Sequence, residues 1–100
     1  MCKYCNLDTN TSIMENEDFF AVFANTEERK ITGHIQIVSK NHTGFFSLSY
    51  RNNENLFMMI RNCKKFLEKR LTPDGYSVII ETGTGIKEGH AVINLIPKYK

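Results

Sequence analysis

The spacing of hydrophobic positions changes along the chain, and the changes mark the predicted elements. Short aromatic and β-branched runs with a period of two predict strands, whereas steps of three and four residues predict a helix. The predicted strands cover residues 13–15 (a short edge strand), 19–23, 34–38, 76–80 and 90–96. The predicted helix runs from about Asn55 to Leu71, and its apolar face carries Leu56, Met59, Ile60, Cys63, Phe66, Leu67 and Leu71.

Turn residues separate these elements. Gly33 precedes the third strand, Thr72-Pro73-Asp74-Gly75 ends the helix, and Pro97 closes the last strand. Residues 41–53 are predicted to be irregular, and their aromatic side chains either close the core or form an interface; these are Phe45, Phe46 and Tyr50. We therefore predict an α+β fold over a single domain, residues 1–100, in which a five-stranded antiparallel sheet packs against one long helix.

The composition narrows the functional classes. Hydrophobic residues make up 41% and charged residues 24% of the chain, and the net charge is +2. This balance is typical of a globular protein and argues against nucleic acid as a partner. No apolar run approaches the roughly 18 residues of a membrane span, and the N-terminus lacks the apolar region of a secretory signal. We therefore expect no membrane association and a cytoplasmic location, either in the cell or in the host of a virus.

The cysteines and histidines suggest metal chemistry. Cys2 and Cys5 form a Cys-x-x-Cys pair that can chelate one ion. A redox motif would lie between a strand and a helix, whereas this pair precedes every predicted element; two unused thiols on a loose tail are the other alternative. His42 follows the third strand and His90 opens the last one, so the two complete a Cys2His2 zinc site if these strands are neighbours. Each histidine taken singly also fits a surface role, and Cys63 fits the helix core.

Several motifs together resemble the histidine triad (HIT) superfamily, over the full length with small gaps. The matching segments are Met1-Cys2-x-x-Cys5, a Phe-rich strand, Gly33-His34-x-Gln36-Ile37-Val38-x-Lys40-x-His42, a helix, Pro73-Asp74-Gly75-Tyr76, and His90-x-Val92-x-Asn94-x-Ile96-Pro97. In metal-binding members, zinc sits at the positions of Cys2, Cys5, His42 and His90. The resemblance thus implies a structural zinc ion on these four residues. It also implies a homodimer formed around the helix and an edge of the sheet.

The catalytic positions of the family are not retained. The triad reads His-Φ-His-Φ-His-Φ-Φ, and its middle histidine attacks the α-phosphorus of a nucleotide conjugate. Val92 stands at that position and cannot act as a nucleophile. Asn94, at the third position, hydrogen-bonds but is neither acid nor base near neutral pH. The Gln-Ser or Gln-Thr before the triad and the Asn-Pro after the second strand are absent, and Glu81-Thr82 replaces paired asparagines. We therefore assign no catalytic residue, and we expect a vestigial nucleotide pocket comprising His34, Val92, Asn94 and Gly83.

Three functional classes follow from this pattern. The first is a pseudoenzyme stabilised by zinc that acts by binding or scaffolding. The second is a module that senses or sequesters a purine nucleotide without cleaving it, which His34, Asn94 and the glycines at Gly83 and Gly85 favour, although such glycines also mark ordinary turns. The third is residual nucleotide hydrolase or transferase activity through another residue, with His34 as an alternative nucleophile. Cys63 would act only in some unrelated chemistry.

Overall fold

The computed structural model describes residues 12–24, 33–40, 44–81 and 91–99, which form one sheet with one helix packed against it. The strands are β1 (Met14–Glu15), β2 (Phe19–Phe23), β3 (Ile35–Ser39), β4 (Gly75–Glu81) and β5 (Val92–Lys98). A 3₁₀ turn (Phe45–Ser47) precedes the helix α1 (Tyr50–Glu68). The predicted α+β class is confirmed. Within the described part of the chain, no helix is both long and apolar enough to cross a membrane.

The sheet is antiparallel throughout, in the order β1-β2-β3-β5-β4. Strand β5 thus lies between β3 and β4, although α1 and β4 separate it from β3 along the chain. Its register with β3 pairs Ile35 with Leu95 and Val38 with Val92. The pairing joins the two segments that carry three of the four predicted pocket residues, His34, Val92 and Asn94.

Helix α1 begins five residues earlier than the hydrophobic pattern indicated. Ser49 is its N-cap, and the Ser49 hydroxyl accepts a hydrogen bond from the Asn52 backbone N–H at 3.1 Å. The Asn52 side-chain oxygen accepts from the Ser49 backbone N–H at the same distance. This reciprocal capping box satisfies N–H groups that the first turn leaves free, so the helix extends into a region without apolar periodicity. The prediction that residues 50–53 are irregular was therefore wrong. The helix also ends at Glu68 rather than at Leu71.

Strand β5 continues through Pro97, although the sequence predicts that this proline ends the strand. Pro97 pairs with Tyr76 of β4, and the strand ends at Lys98. The pairing of β3 with β5 stops at Leu95. Among the described residues, β5 pairs only with β4 beyond Leu95, so a residue without a backbone N–H is tolerated there.

The main core lies between α1 and one face of the sheet. Its fully buried members are Phe19, Ala21, Ile35, Ile37, Leu56, Met59, Cys63, Leu67, Ala91, Ile93 and Leu95. Cys63 is 0% exposed, and burial raises the pKa of its thiol to about 12. A protonated, inaccessible thiol is inert, which agrees with the core role predicted for Cys63. Of the aromatic residues just before the helix and at its first position, Phe45 packs against this core, whereas Phe46 and Tyr50 are 83% and 92% exposed.

Polar contacts fasten the β1–β2 turn to α1. The Asn55 side chain donates to Asp18 Oδ2 at 2.6 Å, and the Asn16 side chain donates to the Asn55 carbonyl at 3.0 Å. Hydrogen bonds from the side chains of Asn55 and Asn52 lower the pKa of Asp18. The turn is therefore held against the helix by an ionised carboxylate whose acceptor oxygens are used.

Gly33 occupies a position that only glycine fits. Its φ is +90°, and a Cβ atom there would lie 2.8 Å from Leu71 Cδ1 and 3.2 Å from Pro97 Cγ. Gly33 precedes β3, and its lack of a side chain lets the backbone pass close to Leu71, which follows α1, and to Pro97. A side chain would meet both backbone strain and a close contact.

We expect Gly33→Ala to destabilise the protein by about 2 kcal/mol, and hence to lower Tm by roughly 8 to 16 °C for a domain of this size. The matched control is Gly44→Ala, because Gly44 has φ −76° and a Cβ atom added to it would meet no other atom within 4 Å. Thermal unfolding followed by circular dichroism measures both changes. Equal Tm values for the two variants would contradict the assigned role of Gly33.

Candidate functional site

The two faces of the sheet have different chemistry. Side chains alternate between faces along a strand, so one set faces α1 and the other set, here called the open face, lies on the far side. On β5, Ile93 and Leu95 belong to the core with α1, whereas Val92 and Asn94 lie on the open face. On β3, Gln36 and Val38 are on the open face. The predicted pocket residues in these two strands therefore share one surface.

Val92 packs as an ordinary core side chain at the position that the resemblance gives to the nucleophile. It forms a second apolar cluster with Phe20 and Val38, against which Val22 packs, and only 8% of Val92 is exposed. Val92 pairs with Val38 on one side and with Glu81 on the other. An aliphatic side chain in a dry environment supplies neither an attacking lone pair nor a transferable proton. At this position the side chain therefore contributes to packing and cannot react.

His34 and Asn94 are brought together by the pairing of β3 with β5. The His34 Nε2 atom lies 2.8 Å from Asn94 Oδ1, and both side chains are half-buried. Gln36, which is directly opposite Asn94 in the register, donates from Nε2 to the same Oδ1 atom at 3.3 Å. The pocket predicted from the sequence included His34 and Asn94 but missed Gln36. The signal was available, because His34 and Gln36 are two residues apart and therefore face the same way on a strand.

The predicted metal ligands all lie outside the described residues. They are Cys2, Cys5, His42 and His90, and the same holds for Gly83 of the predicted pocket. Among the described residues, no group of three or more His, Cys, Asp or Glu side chains is placed to hold a metal ion. The zinc site therefore stays a prediction.

The segments next to two of those ligands are described, and they touch. Ser39 donates its backbone N–H to the Ala91 carbonyl at 3.0 Å, and Ala91 donates its N–H to Ser39 Oγ at 3.1 Å. His42 follows Ser39 by three residues, and His90 directly precedes Ala91. The chain thus leads to both histidine positions from one point of contact.

An ion pair closes the same end of the sheet. Lys40 Nζ lies 3.2 Å from Glu15 Oε2, and the Lys40 backbone N–H donates to the Asp18 carbonyl at 2.8 Å. The side chains of Lys40 and Glu15 are 33% and 50% exposed, so water screens the pair and its contribution to stability is small. The pair links β1 to the residue that follows β3, across the intervening strand β2.

No protein-family model and no curated protein matches the sequence. Solved structures do match. A HIT family protein from Bacillus anthracis superposes with a TM-score of 0.81 at 20% identity, over 99% of this chain and 74% of that one. A HIT family hydrolase from Legionella pneumophila gives 0.75 at 17% identity, over 100% and 95% of the two chains.

A zinc-bound histidine triad family protein from Mycobacterium smegmatis matches with a TM-score of 0.74 at 17% identity, over 90% of this chain and 66% of that one. At such identities the agreement concerns the course of the backbone, not the chemistry of the site. This chain therefore has the fold of the histidine triad superfamily.

Proposed function

We propose that this chain is a non-catalytic HIT-fold protein that is stabilised by one zinc ion and acts by binding. The observation that carries the proposal is the packing of Val92 with Phe20 and Val38 at the position of the family's nucleophile. A protein that has filled this position with a buried aliphatic side chain keeps the fold and loses the covalent step.

The zinc part of the proposal concerns Cys2, Cys5, His42 and His90. It is supported by the contact of Ser39 with Ala91, which brings the chain close to both histidines. The chain between Ser12 and Cys5 is long enough for the cysteines to reach the end of the sheet where Ser39 meets Ala91. Seven residue steps separate Cys5 from Ser12, and seven steps span up to about 24 Å. That reach exceeds the length of a five-residue strand, about 17 Å. When bound, a zinc ion on such a set crosslinks two distant parts of the chain and supplies stability rather than reactivity.

We expect protein purified without added metal to contain one zinc ion per chain. His42→Ala should lose the ion and several kcal/mol of stability, a fraction of the roughly 10–16 kcal/mol that structural zinc supplies to small domains. The Cys2→Ser, Cys5→Ser double variant should behave alike. The matched control is His34→Ala, which changes a histidine outside the ligand set and should keep the metal. Metal analysis and thermal unfolding are the measurements. Zinc well below one per chain together with unchanged Tm after chelation would refute the site.

We also propose that the protein forms a homodimer through the outer edge of β4. This strand is the last in the sheet order, and it bears three consecutive exposed aliphatic residues. Val78, Ile79 and Ile80 are 47%, 43% and 40% exposed. An apolar edge strand left in water is a site for pairing with another strand. Two copies of the same edge can pair antiparallel around a two-fold axis, which continues the sheet.

The dimer proposal predicts that Val78→Lys, Ile80→Lys shifts the protein toward monomer, because two charges oppose apposition of the edges. The comparison variant is Phe46→Lys, Tyr50→Lys, which alters exposed aromatic residues away from β4 and should leave the dimer intact. Sedimentation equilibrium across a concentration series gives the dissociation constants. A monomeric wild-type protein at all concentrations, or dissociation only in the comparison variant, would place the interface elsewhere or remove it.

A second candidate function is the binding of a purine nucleotide without cleavage. It is favoured by the half-buried polar group formed by His34, Gln36 and Asn94 on the open face. Such convergent polar groups on a largely apolar surface are characteristic of ligand sites. Because Val92 cannot form a covalent intermediate, a bound nucleotide would be held rather than consumed.

For this candidate we expect adenosine monophosphate to raise Tm, by an amount equivalent to about 2.7 kcal/mol at a concentration 100-fold above Kd. No adenosine phosphoramidate should be hydrolysed by the same preparation. His34→Ala should abolish the shift, whereas Phe46→Ala, outside the open face, should retain it. The absence of any shift at millimolar nucleotide would leave the scaffold role alone. Turnover that disappears in His34→Ala would instead overturn the non-catalytic assignment.

A further inference from the structure

Three half-buried side chains on the open face form a hydrogen-bonded group, which we call the polar trio: His34, Gln36 and Asn94. Asn94 is its centre, because its Oδ1 atom lies 2.8 Å from His34 Nε2 and 3.3 Å from Gln36 Nε2. The trio depends on tertiary structure, since Asn94 is 60 residues from His34 and 58 residues from Gln36. The pairing of β3 with β5 fixes the register, with Gln36 opposite Asn94.

The hydrogen-bonding capacity of the trio determines which atoms remain for a ligand. A carbonyl oxygen has two lone pairs, and Asn94 Oδ1 uses both, one for each donor. His34 must therefore carry its proton on Nε2, and in the neutral ring Nδ1 is then an acceptor. Gln36 uses one N–H of its amide, which leaves its carbonyl oxygen as a second acceptor. Among the described residues, no hydrogen bond uses the two N–H groups of Asn94, so they remain as donors.

Apolar side chains lie on both sides of the polar trio. In the sheet register, Val22 lies opposite Gln36, and Ile79 lies opposite Asn94 on the other side. Val22 is half-buried and Ile79 is 43% exposed, so aliphatic side chains flank the polar pair in one row across four strands. An uncharged ligand with an apolar body and a polar edge matches this order of groups.

We propose that Asn94 is a positioning residue that holds His34 as the Nε2–H tautomer, so that the trio presents a neutral acceptor–donor–acceptor edge to an uncharged ligand with neighbouring hydroxyl groups. A hydroxyl both donates and accepts. One ligand hydroxyl donates to His34 Nδ1 and another donates to the Gln36 carbonyl, while either accepts from the Asn94 amide. The proposal rests on the nucleotide-binding role proposed above, and it concerns only the uncharged, hydroxyl-bearing part of such a ligand.

The Asn94 amide has one alternative orientation. If it were turned by 180°, its nitrogen would donate to His34 Nε2, and the ring would carry its proton on Nδ1 instead. The trio would then present a donor where the proposal requires an acceptor. The tautomer of one histidine therefore decides between the two arrangements, and it can be measured without any ligand.

The first experiment measures that tautomer by long-range proton–nitrogen NMR of ¹⁵N-labelled protein, under alkaline conditions that keep imidazoles neutral. Wild-type His34 should show a single tautomer with the proton on Nε2. Asn94→Asp retains an oxygen acceptor and should preserve this state, whereas Asn94→Leu should give a mixture of tautomers. An Nδ1–H ring in the wild type, or identical spectra for the Asp and Leu variants, would overturn the positioning role. Backbone amide spectra and zinc content verify that each variant is folded.

The second experiment tests the ligand class with adenosine as the probe. Adenosine should perturb the His34 Nδ1 resonance, and 2′,3′-dideoxyadenosine, which lacks both ribose hydroxyls, should bind at least tenfold more weakly. Asn94→Asp should also weaken adenosine binding at least tenfold despite its preserved tautomer, because a carboxylate lacks the N–H donors. Equal affinity for adenosine and its dideoxy analogue, or perturbation of His34 by inorganic phosphate alone, would refute hydroxyl recognition.

These two experiments distinguish failure of the positioning role from failure of the proposed function. The tautomer is a property of the ligand-free protein, so it stands or falls independently of any binding role. A protein that folds without zinc or without a dimer would defeat those parts of the proposed function, and the His34 tautomer would still be measurable in it. A correct tautomer without any binding of adenosine at millimolar concentration would overturn the ligand class and retain Asn94 as a positioning residue.

Discussion

The pairing of β3 with β5 is the interaction on which the rest of this structure depends. It joins residues that are more than fifty positions apart, as in the hydrogen bonds between Ser39 and Ala91. The intervening chain contains α1 and β4, so the contact carries an entropic cost of loop closure that local contacts avoid. Both the polar trio and the approach to His42 and His90 lie along this one ladder.

The two faces of that ladder differ in packing and polarity. Ile37 and Ile93 point toward α1 and are fully buried, and each such side chain stabilises the fold by about 1.5–3 kcal/mol. On the open face, Val92 packs in a separate apolar cluster, at the position that the resemblance to the histidine triad superfamily gives to a reactive group. The polar trio begins at the next residue pair on that face of the same strands. On this face, the buried pair of Val38 and Val92 is thus directly followed by the hydrogen-bonding pair of Gln36 and Asn94.

A chain of 100 residues has a thin core, so contacts outside the core make up a larger share of its stability. The Asp18–Asn55 hydrogen bond fastens the first turn to the helix, and Gly33 lets the chain pass against Leu71 and Pro97. The proposed zinc ion and the proposed dimer edge would add constraints at different places: one ties the N-terminal residues to the sheet, and the other covers β4. Neither requires a catalytic centre, which is consistent with a protein that works by binding.

The sequence alone determined the elements and their class, because hydrophobic period and turn residues are local properties. It identified the α1 core residues from Leu56 to Leu67 and the aliphatic character of Val92. It missed the early start of α1, since a capping box at Ser49 outweighs weak apolar periodicity, and it missed Gln36. Only the tertiary structure decided that the side chains of His34 and Gln36 both form hydrogen bonds with the Oδ1 atom of Asn94. Register across strands that are distant in sequence is a non-local quantity, set by how the two faces of the sheet are buried.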